Sequence, residues 1–145
     1  MFKHILIPTD GSDLSRKAVL YGVGLAKASG AKVTGLTIAE PYRVASMDAV
    51  LVSIGEDEYD SESRRISDRA LEQVKMAAEA AGVPCETLRE VHDQPFRAII
   101  DAAHALGCDL IVMASHGRRG ISALLLGSET AKVLTHSTIP VLVYR

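Results

Sequence analysis

A loop of small and basic residues joins a strand-like segment to a helix-like segment in the last third of the chain. The apolar run Leu110–Met113 predicts a buried strand, and the residues from Gly127 to Thr130 read as the start of a helix. Between them, Gly117 is followed by nine residues and then by Gly127 and Ser128. Glycines let the main chain approach a ligand closely, and the free N–H groups of a helix's first turn attract an anion. The residue types and their spacing therefore predict a phosphate-binding loop.

A second candidate is the turn Thr9-Asp10-Gly11-Ser12, which follows the first strand-like segment. The carboxylate of Asp10 is able to accept hydrogen bonds from ribose hydroxyls or to hold a divalent cation. Asp and Ser directly before a helix are also typical helix caps, so a capping role stays open from the residues alone. In open α/β sheets, ligands bind at the carboxyl ends of the strands, where the strand order reverses. We therefore expect the turn and the loop to meet at one site.

Strand-like and helix-like segments alternate along the chain, and they must position the loop and the turn. The alternation predicts an α/β fold: a five-stranded parallel sheet with four helices, doubly wound in a flavodoxin-like or Rossmann-like sandwich. The expected strands span residues 3–8, 32–38, 85–91, 109–114 and 139–144. The expected helices run from the turn at 9–12 to residue 29, then over 61–81, 95–106 and 128–135.

Two segments depart from this regular pattern. The third strand is more polar than the others, with Glu86, Arg89 and Glu90, which predicts a sheet edge. Residues 39–59 show no clear period and are interpreted as a long irregular loop containing the apolar stretch 49–54. Loops of this length in compact domains are usually functional or disordered. Two roles stay open for residues 39–59: a loop that closes over a ligand, and a surface loop without a function.

Composition limits the kind of protein this is. The 145 residues predict one domain spanning 1–145, and a net charge of -2 argues against a nucleic-acid partner. No apolar run approaches the roughly 18 residues that a membrane helix needs, so we expect no membrane partner. Cys85 and Cys108 show no metal-ligand spacing, and the chain opens on a strand rather than on a leader peptide. We therefore expect a cytoplasmic protein.

Catalytic motifs are missing from the sequence. There is no Gly-Lys-Ser/Thr element of a P-loop, and the five histidines have no HExxH spacing. Gly120-Ile-Ser122 lacks the second glycine of a nucleophile elbow. Nothing combines a general base, a nucleophile and an oxyanion site, so we expect no catalytic residues.

The loop and the turn together resemble the universal stress protein family. The nucleotide loop of that family reads Gly, two residues, Gly, nine residues, Gly, then Ser or Thr, and here Ala114 replaces the first glycine. The Pro8-Thr9-Asp10 turn, the chain order and the terminal run Ile139–Val143 also agree, so the resemblance covers essentially the whole chain. A positive φ at Ala114 would cost roughly 1–2 kcal/mol, whereas a negative φ would make the exchange nearly silent.

The resemblance implies an adenine-nucleotide site and assigns residues to it. Pro8 and Thr9 are expected near the base, Asp10 near the sugar, and the backbone of Ile38 against adenine. The phosphates are expected to accept backbone N–H groups of the segment that opens the last helix. The expected residues of the loop are Met113, Ala114, Ser115, His116 and Gly117 on the strand side, and Gly127, Ser128 and Glu129 on the helix side.

The resemblance also implies a function. The expected ligand is ATP, or ADP or AMP, with Mg²⁺ that enters with the phosphates; Asp10 is the only protein group expected near the metal. The expected role is a ligand-responsive regulator or stress-survival factor with an unknown regulatory protein partner. A homodimer is expected through antiparallel pairing of the last strand, Val141–Tyr144. Two alternatives stay open: a nucleotide-free dimeric interaction module of the same fold, which Ala114 favours, and a slow ATPase.

Overall fold

The computed structural model describes residues 1–43, 55–118 and 125–145, and nine elements alternate along these ranges. The strands are β1 (His4–Pro8), β2 (Lys32–Ala39), β3 (Cys85–Val91), β4 (Leu110–Ala114) and β5 (Val141–Tyr144). The helices are α1 (Asp13–Ser29), α2 (Glu56–Ala81), α3 (Pro95–Ala105) and α4 (Ser128–His136). Within the described ranges, none of the helices is long and apolar enough to cross a membrane.

The strands lie in the order β3-β2-β1-β4-β5, and all neighbouring strands are parallel. The predicted α/β fold is confirmed, and of its two doubly wound forms the order is the Rossmann-like one. The predicted edge position of β3 is also confirmed. Because chain order reverses between β1 and β4, the helices that follow these two strands, α1 and α4, lie on opposite faces of the sheet, and this is where such sheets bind ligands.

Two packed layers cover the sheet because successive strand residues point to opposite faces. Ile5 and Ile7 of β1 pack with α1 and α2, while Leu6 packs with α3 and α4. Apart from His4, the central strands β1 and β4 are apolar along their whole length because both of their faces are buried. The helix α2 approaches β2 closely at Gly35, where an added Cβ would lie 2.8 Å from Cγ1 of Val74. The earlier turns of α2 reach the carboxyl end of the sheet, where Arg89 of β3 contacts Ser63 and Ser67.

The main difference from the sequence-based boundaries concerns α2. This helix begins at Glu56, five residues before the expected start, and so includes part of the segment interpreted as irregular. Its first turn carries Glu56, Asp57 and Glu58, whose negative charges are stabilised at the positive end of a helix. The apolar stretch 49–54 lies outside the described residues. The other element ends agree with expectation to within two residues, and β3 spans the expected residues 85–91.

Candidate functional site

A cleft of about 950 Å³ opens at the carboxyl edge of the sheet, across the ends of β1 and β4, where the strand order reverses. Its floor is formed by the ends of β1, β2 and β4, and its walls by α2 on one side and the first residues of α3 and α4 on the other. The volume lies near the top of the roughly 300–1,000 Å³ range of small-molecule sites. The cleft is therefore large enough for a nucleotide-sized ligand.

The structure brings the predicted site residues together. All of them except Ser115 line the cleft: Pro8, Thr9, Asp10, Ile38, Met113, Ala114, His116, Gly117, Gly127, Ser128 and Glu129. Ser115 is 3% exposed and lies beneath the loop, where its carbonyl oxygen accepts the N–H of Gly127 at 2.7 Å. Ser115 thus supports the loop rather than forming the cleft surface.

Asp10 connects the β1 turn to the loop that follows β4. Its Oδ1 accepts hydrogen bonds from the N–H of Ser12 at 3.0 Å and from Oγ of Ser15 at 2.8 Å. Its Oδ2 accepts the N–H of Arg118 at 2.7 Å. The cap of α1 is Ser12, whose Oγ accepts the N–H of Ser15 at 3.3 Å. The capping role that the sequence left open for Asp10 therefore belongs to Ser12.

These hydrogen bonds set the charge of Asp10. Burial on its own raises the pKa of this carboxyl, because the charged form loses water. The hydrogen bonds from Ser12, Ser15 and Arg118 outweigh burial and leave the pKa of Asp10 below its ordinary value. At neutral pH the cleft floor therefore holds a carboxylate, able to accept hydrogen bonds from hydroxyl groups of a ligand.

The two ends of the loop after β4, at Gly117 and Gly127, lie close together, and we call them the neck of the loop. Neither position leaves room for a side chain. A Cβ added to Gly117 would collide with the Oδ2 atom of Asp10. A Cβ added to Gly127 would lie 3.1 Å from the Cα of His116 and 3.3 Å from the carbonyl oxygen of Ser115. The glycine spacing recognised in the sequence thus corresponds to two close approaches of main chain to its neighbours.

The first turn of α4 supplies the donors for an anion. Gly127 is its N-cap residue, and within the described ranges no side chain caps the helix. The N–H of Gly127 already bonds Ser115, so the expected phosphate donors at this end reduce to Ser128 and Glu129, whose N–H groups have no partner inside the helix. The helix dipole adds positive potential at the same place. The carboxylate of Glu129 turns away, because its Oε2 accepts the N–H of Phe96 at the start of α3, at 2.8 Å.

Ala114 is accommodated without backbone strain. It ends β4 in register with Tyr144 and accepts a hydrogen bond from Oγ1 of Thr130 at 2.9 Å through its carbonyl oxygen. No non-glycine residue in the described ranges has a positive φ, so the cost considered for an alanine here does not arise. The conformation of Ala114 therefore gives no support to a nucleotide-free alternative.

The hydroxyl groups on the α2 side of the cleft were missed by the sequence analysis. Four residues with hydroxyl groups line the cleft although no motif marks them: Ser15, Thr37, Ser63 and Ser67. Serines four residues apart, such as Ser63 and Ser67, share one face of a helix, but only the fold shows which face meets the cleft. In the described part of the chain, no three His, Cys, Asp or Glu residues are grouped so as to hold a metal ion by themselves.

Comparison with known proteins identifies the family. The sequence profile of the universal stress protein family matches residues 1–145. The chain belongs to the universal stress protein family. Universal stress protein YxiE of Bacillus subtilis is 34% identical over 149 residues, which cover all of both chains. A universal stress protein of Thermus aquaticus is 35% identical over 146 residues, again with full coverage of both.

Solved structures of universal stress proteins have the same fold as this family member. Protein MJ0577 of Methanocaldococcus jannaschii superposes with a TM-score of 0.82 at 28% identity, covering 99% of this chain and 96% of its own. A universal stress protein solved in complex with cAMP superposes with a TM-score of 0.72 at 28% identity, covering 99% of this chain and 97% of its own. At least one relative of this universal stress protein therefore binds an adenine nucleotide.

Proposed function

We propose that residues 1–145 form a single universal stress protein domain that binds an adenine nucleotide in the cleft and acts as a ligand-responsive regulator of a protein partner. The observation that carries this proposal is the first turn of α4, which no side chain of the described residues caps and which lines the same cleft as the Asp10 carboxylate. One supplies donors for phosphate oxygens, and the other supplies an acceptor for ribose hydroxyls. The cAMP complex of a relative supports the ligand class.

The proposed ligand is ATP, ADP or AMP with Mg²⁺. It lies in the cleft, across the carboxyl ends of β1 and β4, where the strand order reverses. Its phosphates accept the N–H groups of Ser128 and Glu129, and its ribose bonds Asp10. Its base lies against Pro8, Thr9 and the end of β2. Mg²⁺ would enter with the phosphates, and Asp10 is the residue whose carboxylate would lie near it. A cytoplasmic location stays a prediction.

The proposed role is binding rather than turnover. Three donors hold the Asp10 carboxylate, and its pKa lies below the ordinary value, which makes it a weak general base. Nδ1 of His116 bonds Oγ of Ser115 at 3.2 Å, so that ring nitrogen is already engaged. A purified chain that turns over ATP several times per minute, and loses this activity with Asp10→Ala, would contradict this assignment.

The direct test is to identify what the purified protein carries and what it binds. Ligand released by heat denaturation is identified by mass spectrometry, and ATP with Mg²⁺ is titrated by calorimetry. The expected result is a bound adenine nucleotide, or micromolar ATP affinity near one nucleotide per chain. A protein that releases no nucleotide and shows no binding at millimolar ATP would contradict the proposal.

We further propose a homodimer through antiparallel pairing of β5 with a second copy. β5 is an edge strand of the sheet. The main-chain N–H of Ile111 bonds the carbonyl of Pro140, and that of Ser115 bonds the carbonyl of Tyr144, so alternate residues of β5 face β4. Val141 and Val143 then direct their main-chain groups outward. An apolar edge strand with free main-chain groups favours pairing with another strand.

Val143→Pro is expected to give a monomer. Proline removes an outward N–H that β4 does not use, and edge strands tolerate proline at such positions. Size-exclusion chromatography with light scattering measures the mass, and circular dichroism checks that the helices are retained. Val143→Thr keeps both the N–H and a β-branched side chain, so this control should stay dimeric. A folded Val143→Pro dimer would contradict the β5 interface.

A further inference from the structure

A half-buried arginine on β3 rests on two serine hydroxyls of α2. Nε of Arg89 donates to Oγ of Ser67 at 3.1 Å, and Nη2 of Arg89 donates to Oγ of Ser63 at 3.1 Å. Neither partner is charged, and Arg89 makes no ion pair with any residue in the described ranges. In the described ranges the guanidinium of Arg89 is therefore held by neutral hydroxyl groups and not by a carboxylate.

The two serines are left with hydroxyl hydrogens to donate. Each oxygen accepts from Arg89, and a hydroxyl that accepts one hydrogen bond still carries its own O–H donor. Neither serine bonds the carbonyl one turn earlier in α2, as Ser29 does with the carbonyl of Leu25 in α1. Ser63 and Ser67 both line the cleft. Chains of hydrogen bonds polarise one another, so the Arg89 charge makes these hydroxyls stronger donors.

Thr37 of β2 adds a third hydroxyl group to those of Ser63 and Ser67. It is the register partner of Arg89 on β2, so the two side chains share one face. That face meets α2, because Gly35, two residues earlier, lies against Val74 of that helix. Thr37 is only 5% exposed and lines the cleft. We call Thr37, Ser63 and Ser67, with Arg89 behind them, the hydroxyl wall.

The hydroxyl wall lies at the end of the cleft opposite the phosphate donors. It is built on β2 and β3, whereas α4 follows β4, and β1 separates β2 from β4. Strands are about 4.8 Å apart, so β2 and β4 are separated by roughly 10 Å. Thr37 directly precedes Ile38, the residue expected against the base. A nucleotide with its phosphates at α4 places its base, not its phosphates, toward the wall.

We propose that the hydroxyl wall recognises the base: Ser63 and Ser67 donate hydrogen bonds to acceptor nitrogens of the adenine ring, and Arg89 is the positioning residue that orients and polarises them. This inference rests on the proposed nucleotide site and adds the residues that select the base. A second anionic group fits the wall less well, because the carboxylate of Glu58 lines the cleft on the same helix, whereas the carboxylate of Glu62 is paired with Arg65. A neutral ring with acceptor atoms avoids that repulsion. Ligands without these acceptors leave the hydroxyls unpaired and bind more weakly.

The test pairs changes in the ligand with changes in the wall. Calorimetry measures the affinities of ATP and of 1-deaza-, 3-deaza- and 7-deaza-ATP, each of which lacks one ring-nitrogen acceptor. The same titrations are made on Ser63→Ala, Ser67→Ala and Arg89→Met. Ser61→Ala is the matched control, because Ser61 lines the cleft on the same helix but does not bond Arg89. Circular dichroism melts confirm that each variant is folded.

The wild-type chain is expected to bind at least one deaza analogue about two- to tenfold more weakly than ATP, the size of one ordinary hydrogen bond. Ser63→Ala or Ser67→Ala should remove that difference, Arg89→Met should reduce it, and Ser61→Ala should leave it unchanged. Equal discrimination in all variants, or none in the wild type, would overturn the hydroxyl wall alone. A wild-type chain that binds no nucleotide would overturn the proposed function as well.

Discussion

Replacing Gly127 by valine is expected to abolish nucleotide binding while leaving the fold intact. The added Cβ would lie 3.1 Å from the Cα of His116, a main-chain atom that cannot rotate away. The two further methyl groups of valine increase this crowding. The neck of the loop then opens, the 2.7 Å bond from Gly127 to Ser115 is lost, and the first turn of α4 moves off the cleft. Overpacking of about 1–3 kcal/mol together with lost donors predicts at least a ~100-fold loss of affinity.

Calorimetry with ATP and Mg²⁺ measures this loss, and circular dichroism follows the helices. Gly24→Val is the matched control, because Gly24 is exposed on α1 and an added Cβ meets nothing within 4 Å. Its affinity should equal that of the wild type, and the helix should be retained, because valine has a higher helix propensity than glycine. If Gly127→Val binds ATP as tightly as Gly24→Val, the first turn of α4 is not the phosphate site.

Asp10→Asn is expected to lower both stability and nucleotide affinity. The substitution keeps the side-chain shape but removes the charge that accepts three hydrogen bonds, from Ser12, Ser15 and Arg118. Hydrogen bonds to charged groups contribute about 1.5–3 kcal/mol each, so the free energy of unfolding should fall by roughly 1–3 kcal/mol after partial replacement by the amide. Affinity for ATP should fall about tenfold, since the loop is no longer held at Arg118 and the ribose loses a charged acceptor.

The stability loss in Asp10→Asn should depend on pH. The folded pKa of Asp10 lies below its ordinary value of 3.8. The carboxylate therefore stabilises the fold fully above the unfolded pKa, and this contribution is lost as the pH falls through the folded pKa. Urea unfolding should show the largest difference between wild type and variant near neutral pH and a shrinking difference in acid.

The matched control for this series is Asp13→Asn. The side chain of Asp13 is 97% exposed and has a single ion-pair contact, to Arg16 at 3.8 Å. Such surface pairs contribute little, and a charge in the first turn of a helix contributes about 0.3–1 kcal/mol, so the free energy of unfolding should fall by less than about 1 kcal/mol and the ATP affinity should not change. Equal losses in the two variants would show that Asp10 has no special position in the fold. An Asp10→Asn difference that grows in acid would contradict the lowered pKa.

The sequence by itself determined the order and kind of the elements. Strands buried on both faces must be continuously apolar, as Leu110–Met113 is, and helices need an apolar face, so both patterns lie within a few neighbouring residues. It also identified the two glycines of the loop, because their spacing is local. The edge position of β3 was predictable from its charges, since an edge strand remains partly in water.

Only the tertiary structure decided which residues that are distant in the sequence form hydrogen bonds with one another at the site. The bonds of Asp10 to Arg118 and of Arg89 to Ser63 join residues 108 and 26 positions apart, and they exist because the strand order brings those segments together. The absence of strain at Ala114 follows from its place at the end of β4, which no local pattern specifies. Local signals report the conformation of a segment, whereas the partner of a side chain depends on which segments the sheet places side by side.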